Sequence, residues 1–125
     1  SNVILTGSKN HDAVVKELEM ADVFLFLSRF KGEGFSNALV EAMASGLPCI
    51  VTDWAANADM VLNQKCGIVV QESSSEVLMD SLNKIAEASV RKSMSHNCIE
   101  RAQNEYSQDC VIKQYVCAYE ELIKR

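Results

Sequence analysis

The sequence predicts an α/β domain of three layers, with a parallel sheet of about four strands held between helices. Two observations carry this. Apolar runs of strand length recur without polar alternation, VFLFLS at 23–28, CIVTD at 49–53 and GIVV at 67–70, as strands do when both faces are covered. Between and around these runs lie segments of helical periodicity, and strand, helix, strand in short succession is the sequence form of a parallel layer.

The elements follow in order. NVILTG, residues 2–7, reads as the first strand. Asn10 is placed to cap a helix from His11 to Ala21, in which Val14, Val15, Leu18 and Ala21 share a face. After the strand at 23–28, Arg29 to Phe35 carries Gly32 and Gly34, which permit sharp or positive-φ backbone and close approach of a ligand to main-chain N–H groups. Ser36 or Asn37 caps the next helix; Ala38, Leu39, Ala42, Met43 and Ala44 form its apolar face, and Gly46 and Pro48 end it. The strand at 49–53 leads through a broken segment to a short strand from Gly67 to Val70. Ser73 to Glu76 has the capping-box pattern and opens a helix with Val77, Leu78, Leu82, Ile85 and Ala86 on its apolar side. Two further helices are expected over 90–105 and 108–124, divided at Ser107.

Chemistry is expected at the turn between the strand at 23–28 and its helix, because small anions settle at the carboxyl ends of parallel strands and at helix N-termini. Two carboxylates, Glu33 and Glu41, flank this turn with seven residues between them. A rise of about 1.5 Å per residue puts Glu41 roughly 6 to 8 Å beyond the cap, near the span from a bound phosphate to the hydroxyls of its ribose. A carboxylate there accepts two hydrogen bonds from a vicinal diol. Glu33 then lies across the same phosphates, where a second sugar would sit, and the N–H groups of residues 34 to 38 serve the phosphates. Each carboxylate also has a plainer reading, Glu41 as a partner of the helix dipole and Glu33 as a solvated charge beside Lys31. Arg29 and Lys31 flank the loop, either as diphosphate contacts or as ordinary solvated cations.

Other chemistry is sparse. The five cysteines form no C-x-x-C pair, so they read as reduced thiols rather than a zinc knuckle or disulfide framework. His11 and His96 have no partner at a metal or triad spacing. The net charge of −5 argues against a nucleic-acid footprint, and no run approaches the roughly 20 apolar residues of a membrane span. With 125 residues, 48% hydrophobic and 23% charged, the composition is that of one ordinary globular core.

The string E-G-F-x(5)-E-A-M-A-x-G-x-P, present as Glu33-Gly34-Phe35 through Glu41-Ala42-Met43-Ala44 to Gly46 and Pro48, resembles the E-x7-E signature of retaining glycosyltransferases of family 4. Those enzymes have the GT-B architecture, two Rossmann-like domains facing across a cleft, with the motif in the C-terminal, donor-binding domain. The likeness extends over essentially the whole chain. It implies that Glu33 is the catalytic carboxylate, facing the donor sugar. It implies that backbone groups of Gly34, Phe35, Ser36, Asn37 and Ala38 hold the sugar and diphosphate, and that Glu41 binds the nucleotide ribose. Leu27 stands where the family commonly has proline. Trp54-Ala55-Ala56-Asn57-Ala58-Asp59 replaces the usual Gly-Gly segment and its following Glu, with Asp59 a shorter stand-in.

The resemblance further implies a segment of a longer protein, residues 1–125 being part of the C-terminal domain with the N-terminal domain absent. The expected activity is transfer of a sugar from a nucleoside diphosphate sugar to an acceptor hydroxyl with retained configuration. No cofactor and no metal is called for, since helix dipole and N–H groups face the departing diphosphate. The expected partners are the donor and the facing domain, in the cytoplasm, with room for a peripheral place at the inner membrane face. The alternative is a noncatalytic nucleotide- or sugar-binding module of the same fold.

Overall fold

A computed structural model describes residues 2–125. In chain order the elements are α1 (His11–Met20), β1 (Phe24–Phe26), α2 (Asn37–Ala44), β2 (Cys49–Thr52), α3 (Asn57–Val61), β3 (Gly67–Val70), α4 (Ser75–Ala86), α5 (Ala88–Glu105) and α6 (Gln108–Ile123). The strands form one parallel sheet in the order β1-β2-β3, with Phe24 opposite Cys49 and Cys49 opposite Gly67. Alternation across the pleat divides the core. Cys49 and Val51 of β2 face a cluster with Leu18, Leu39, Met43, Met60 and Cys98, whereas Ile50 faces Ile68, Val70, Ile85 and Met94 on the other side. Both faces of β2 are therefore covered, the three-layer arrangement its unbroken apolar run foretells.

The sheet has three strands among the described residues, not four. NVILTG lies in no strand, and Ile4 and Leu5 are 84% and 93% exposed. An apolar run becomes a strand by pairing its backbone and burying a face, and this one does not bury a face. The caps fall mostly where expected: Asn10 Oδ1 accepts from Ala13 N at 3.0 Å, Ser36 Oγ from Leu39 N at 3.3 Å and Ser107 Oγ from Cys110 N at 3.3 Å. The cap of α4 is Ser74, not Ser73, with Val77 N on its hydroxyl at 3.4 Å. The α5 helix starts at Ala88, and α3 occupies part of the segment read as broken.

Helix α2, which carries the motif, is closed at its far end by Gly46. With φ at +76°, Gly46 donates to Met43 O at 2.9 Å while Leu47 donates to Ala42 O at 3.0 Å. This is the paired closure a left-handed residue makes at a helix C-terminus. It turns the chain directly into β2, so the opposite end of α2 points to the carboxyl edge of the sheet.

Candidate functional site

At that edge the loop from Ser28 to Ser36 joins β1 to α2. Glu33 N donates to Phe30 O at 3.0 Å, closing a turn. Neither Gly32 nor Gly34 has positive φ, so of the sharp or positive-φ backbone expected for this turn the left-handed form is not used. A Cβ on Gly32 would lie 2.6 Å from the ring edge of Phe30, an exposed side chain that would have to swing aside to admit it. Gly34 is different. A Cβ on it would meet nothing within 4 Å, so neither conformation nor packing within this chain demands glycine, and its backbone stands open.

Glu33 is half-buried and fixed: Ser28 Oγ donates to its Oε2 at 3.0 Å. Phe35 directs its ring away from the loop onto Tyr106, edge to face with centroids 5.3 Å apart. Tyr106 is in turn held by Arg101, whose guanidinium donates to Tyr106 Oη at 3.1 Å and to the carbonyls of Met60 and Asp59 at 2.8 Å. Burial raises the Tyr106 hydroxyl above its ordinary pKa, with the Arg101 charge opposing. Ser36 is buried as the cap, while Asn37 and Ala38 are exposed. The N–H groups of residues 36 to 38 have no acceptor within the helix.

Glu41 falls at the fifth position of α2, beyond the first turn, which contains no acidic residue. The dipole reading thereby loses its main support, because that effect fades within a turn. The Glu41 carboxylate is half-buried and has no hydrogen-bond or ion-pair partner among the described residues. Arg29 reaches the carbonyl of Gln71 at the end of β3, whereas Lys31 is exposed. Asp53 accepts from Gln71 Nε2 at 2.9 Å. Among the described residues no group of three or more His, Cys, Asp and Glu side chains is arranged to hold a metal ion, and no helix is long and apolar enough to cross a membrane.

Sequence reasoning did not single out Ser28, Thr52 or Trp54 as site residues. Thr52 Oγ1 donates to Ser28 O at 2.6 Å and Trp54 Nε1 to Phe30 O at 2.9 Å, each pair 24 residues apart. Only tertiary pairing of β1 with β2 brings them together.

This fold and motif placement define a class. A solved sucrose-phosphate synthase from Thermosynechococcus elongatus matches with a TM-score of 0.82 at 22% identity, over 98% of this chain and 30% of that one. The C-terminal domain of a glycosyl transferase group 1 family protein from Francisella tularensis matches with a TM-score of 0.69 at 21% identity, over 85% of this chain and 53% of that one. The fold is that of a GT-B glycosyltransferase domain. The model of the family described as glycosyl transferases group 1 matches residues 1–105, and the chain belongs to that family. It is 28% identical over 104 residues to the capsular polysaccharide biosynthesis glycosyltransferase CapM of Staphylococcus aureus, covering 82% of this chain. It is 29% identical over 105 residues to the UDP-Gal:alpha-D-GlcNAc-diphosphoundecaprenol alpha-1,3-galactosyltransferase of Escherichia coli, covering 84% of this chain. The chain spans only 27% and 26% of those two proteins.

Proposed function

We propose that the parent protein is a retaining glycosyltransferase and that this chain forms part of its C-terminal, donor-binding domain. The transfer would run from a nucleoside diphosphate sugar to an acceptor hydroxyl, the acceptor being presented by an N-terminal domain across the cleft. The observation that carries the reading is the edge from Gly34 to Glu41. An unobstructed backbone, three helix-end N–H groups without intrahelical acceptors, and a half-buried carboxylate without a partner stand in sequence over about two helical turns. These match, in order, a sugar, a diphosphate and a ribose diol.

In this arrangement the N–H groups of Ser36, Asn37 and Ala38 take up charge as the diphosphate departs, aided by the helix dipole. Lys31 and the remaining donors of Arg29 add positive charge beside it. Glu33 faces the sugar as the catalytic carboxylate, and Glu41 holds the ribose. No step needs a metal or a cofactor. The names of the relatives point to glycoconjugate or polysaccharide synthesis; the place of action proposed with it is the cytoplasm or the inner membrane face.

The test uses the full-length protein. Calorimetric titration with UDP-hexoses, UDP-N-acetylhexosamines and GDP-hexoses is expected to find one tight donor, and proton NMR of the product is expected to show the donor's anomeric configuration. Inverted product would sink the retaining mechanism; donor binding without transfer would favour a noncatalytic module. Transfer is expected to survive excess chelator, and a loss that magnesium or manganese restores would mean that the diphosphate is stabilised differently.

A further inference from the structure

Behind Glu33 lies a line of polar side chains that the donor reading leaves unused. Ser28 Oγ accepts from Phe30 N at 3.3 Å and donates to Glu33 Oε2 at 3.0 Å, so its hydroxyl has one orientation. Ser28 O accepts from Thr52 Oγ1 at 2.6 Å. Thr52 O accepts from Asn57 Nδ2 at 3.3 Å. Thr52 and Asn57 are both wholly buried.

Asn57 is an expensive residue for this position. Its Oδ1 is buried without a hydrogen-bond partner, and an orphaned buried acceptor costs about 1 to 3 kcal/mol. An apolar side chain of similar size avoids that cost; the other end of the amide joins the Trp54 N–H, at 2.8 Å, on the last carbonyl of β2. From there the order passes to Ser28 and then to a carboxylate that must face a sugar within fractions of an ångström.

We propose that Asn57, Thr52 and Ser28 form a positioning relay that fixes the carboxylate of Glu33, with Ser28 as its contact. Residues from the loop after β1, the end of β2 and helix α3 thereby act on one functional group. The relay rests on the reading of Glu33 as the group that faces the donor sugar.

The experiment is a double-mutant cycle in the full-length protein, following nucleoside diphosphate release from UDP-hexose, UDP-N-acetylhexosamine and GDP-hexose donors. Ser28→Ala is expected to lower kcat about ten- to hundredfold, the range for losing a hydrogen bond to a charged group, with donor KM changed less than about twofold. Ser28→Thr, which keeps the hydroxyl, is expected to recover most of the loss. In a Glu33→Ala background, Ser28→Ala is expected to change kcat by less than about twofold, since its effect passes through the missing carboxylate. Thr52→Val, close in shape, provides a second entry to the same cycle if Ser28→Ala does not fold, with an expected loss of about three- to tenfold.

Equal losses in both backgrounds would make these residues structural only and overturn the relay. So would unchanged kcat for Ser28→Ala while Glu33→Ala is impaired, a result that leaves the donor reading intact. Unchanged kcat for Glu33→Ala itself would overturn the role of Glu33 and the relay together. A wild type that neither binds nor cleaves any of these donors would sink the transferase reading and, with it, the relay.

Discussion

The two ends of the sheet are built differently. At the amino end, where the strands begin, main-chain carbonyls and buried thiols are consumed in closing the structure. Gly46 and Leu47 take up the last carbonyls of α2, Cys49 Sγ donates to Leu47 O at 3.1 Å, and Cys98 Sγ lies 3.1 Å from Cys66 O. A recess of about 480 Å3 is present there, lined by Asp22, Pro48, Arg91 and His96 among others, yet Arg91 spends its guanidinium on the Ala86 carbonyl. At the carboxyl end, the loop after β1 is tied down from behind by Ser28, Thr52 and Trp54 while its outer side keeps an open glycine, helix-end N–H groups and Glu41. Cavity size alone would choose neither end. What sets the second apart is an open glycine, free helix-end N–H groups and an unpartnered carboxylate in one line on a braced loop.

The difference predicts that mutations separate into those that damage stability and those that damage function. The largest effect belongs to Gly67 in β3, where an added Cβ would fall 1.8 Å from the carbonyl oxygen of Cys49 in the adjacent strand. Backbone cannot give way as a flexible side chain can. Gly67→Ala is expected to cost about 4 kcal/mol or more in urea denaturation, among the exceptional values for one substitution. A cost below about 1 kcal/mol would mean that β2 and β3 are spaced otherwise than described.

Glu41→Ala is the complementary case. Loss of a hydrogen-bonded carboxylate is expected to weaken donor binding in the full-length protein by about 1.5 to 3 kcal/mol. The melting temperature should hold, because Glu41 makes no side-chain bond within the described protein. Unchanged affinity in calorimetry would remove Glu41 from the site. A large drop in melting temperature would instead place it in the frame.

The amino end has its own signature, set by pH. The Cys66 thiol is pushed far above its ordinary value near 9 by hydrogen bonding to Cys98 and by burial. The Cys98 thiol is raised by its hydrogen bond to Cys49 and by burial, with Cys66 opposing. Below pH 9 folded and unfolded chains both keep these protons, so their contribution is fully present. Between about pH 9 and 10 the unfolded chain releases protons that the folded chain retains, and stability should fall by up to about 1.4 kcal/mol per pH unit for each thiol. Denaturation at pH 8, 9 and 10 checks this, and Cys98→Ala should flatten the slope. A wild-type curve flat to pH 10 would show that the thiols are not held as protonated core groups.

The sequence exposes the layers more readily than the bracing. Unalternated runs such as CIVT announce burial on both faces, and serines before apolar stretches announce helix starts, because both signals are local. Among three adjacent serines any can cap, so the choice of Ser74 over Ser73 rests on where α4 docks rather than on chemistry. NVILTG has strand composition, but composition carries no information about whether a face will be buried. At the site, the positions of Glu33 and Glu41 are legible as a spacing. Ser28, Thr52 and Trp54 are not, since each acts through a contact that exists only after β1 and β2 pair. Asn57 was visible only as part of a departure from the family's glycine-bearing segment.

That segment supplies the smallest effect and the sharpest view of the loop that braces the site. Ala55 holds φ at +51°, a left-handed conformation, one step after Trp54, whose indole ties the site loop, and two before Asn57. A side chain in that region costs roughly 1 to 2 kcal/mol relative to glycine. Glycine, however, adds unfolded-state freedom worth about 0.4 to 1 kcal/mol. The balance favours Ala55→Gly by about 0.5 to 1 kcal/mol, so this substitution should raise stability slightly. Denaturant titration at several protein concentrations would resolve a change of this size. A loss of stability would show that contacts made by the alanine methyl outweigh its backbone strain, and that this loop has been rebuilt around alanine rather than merely tolerating it.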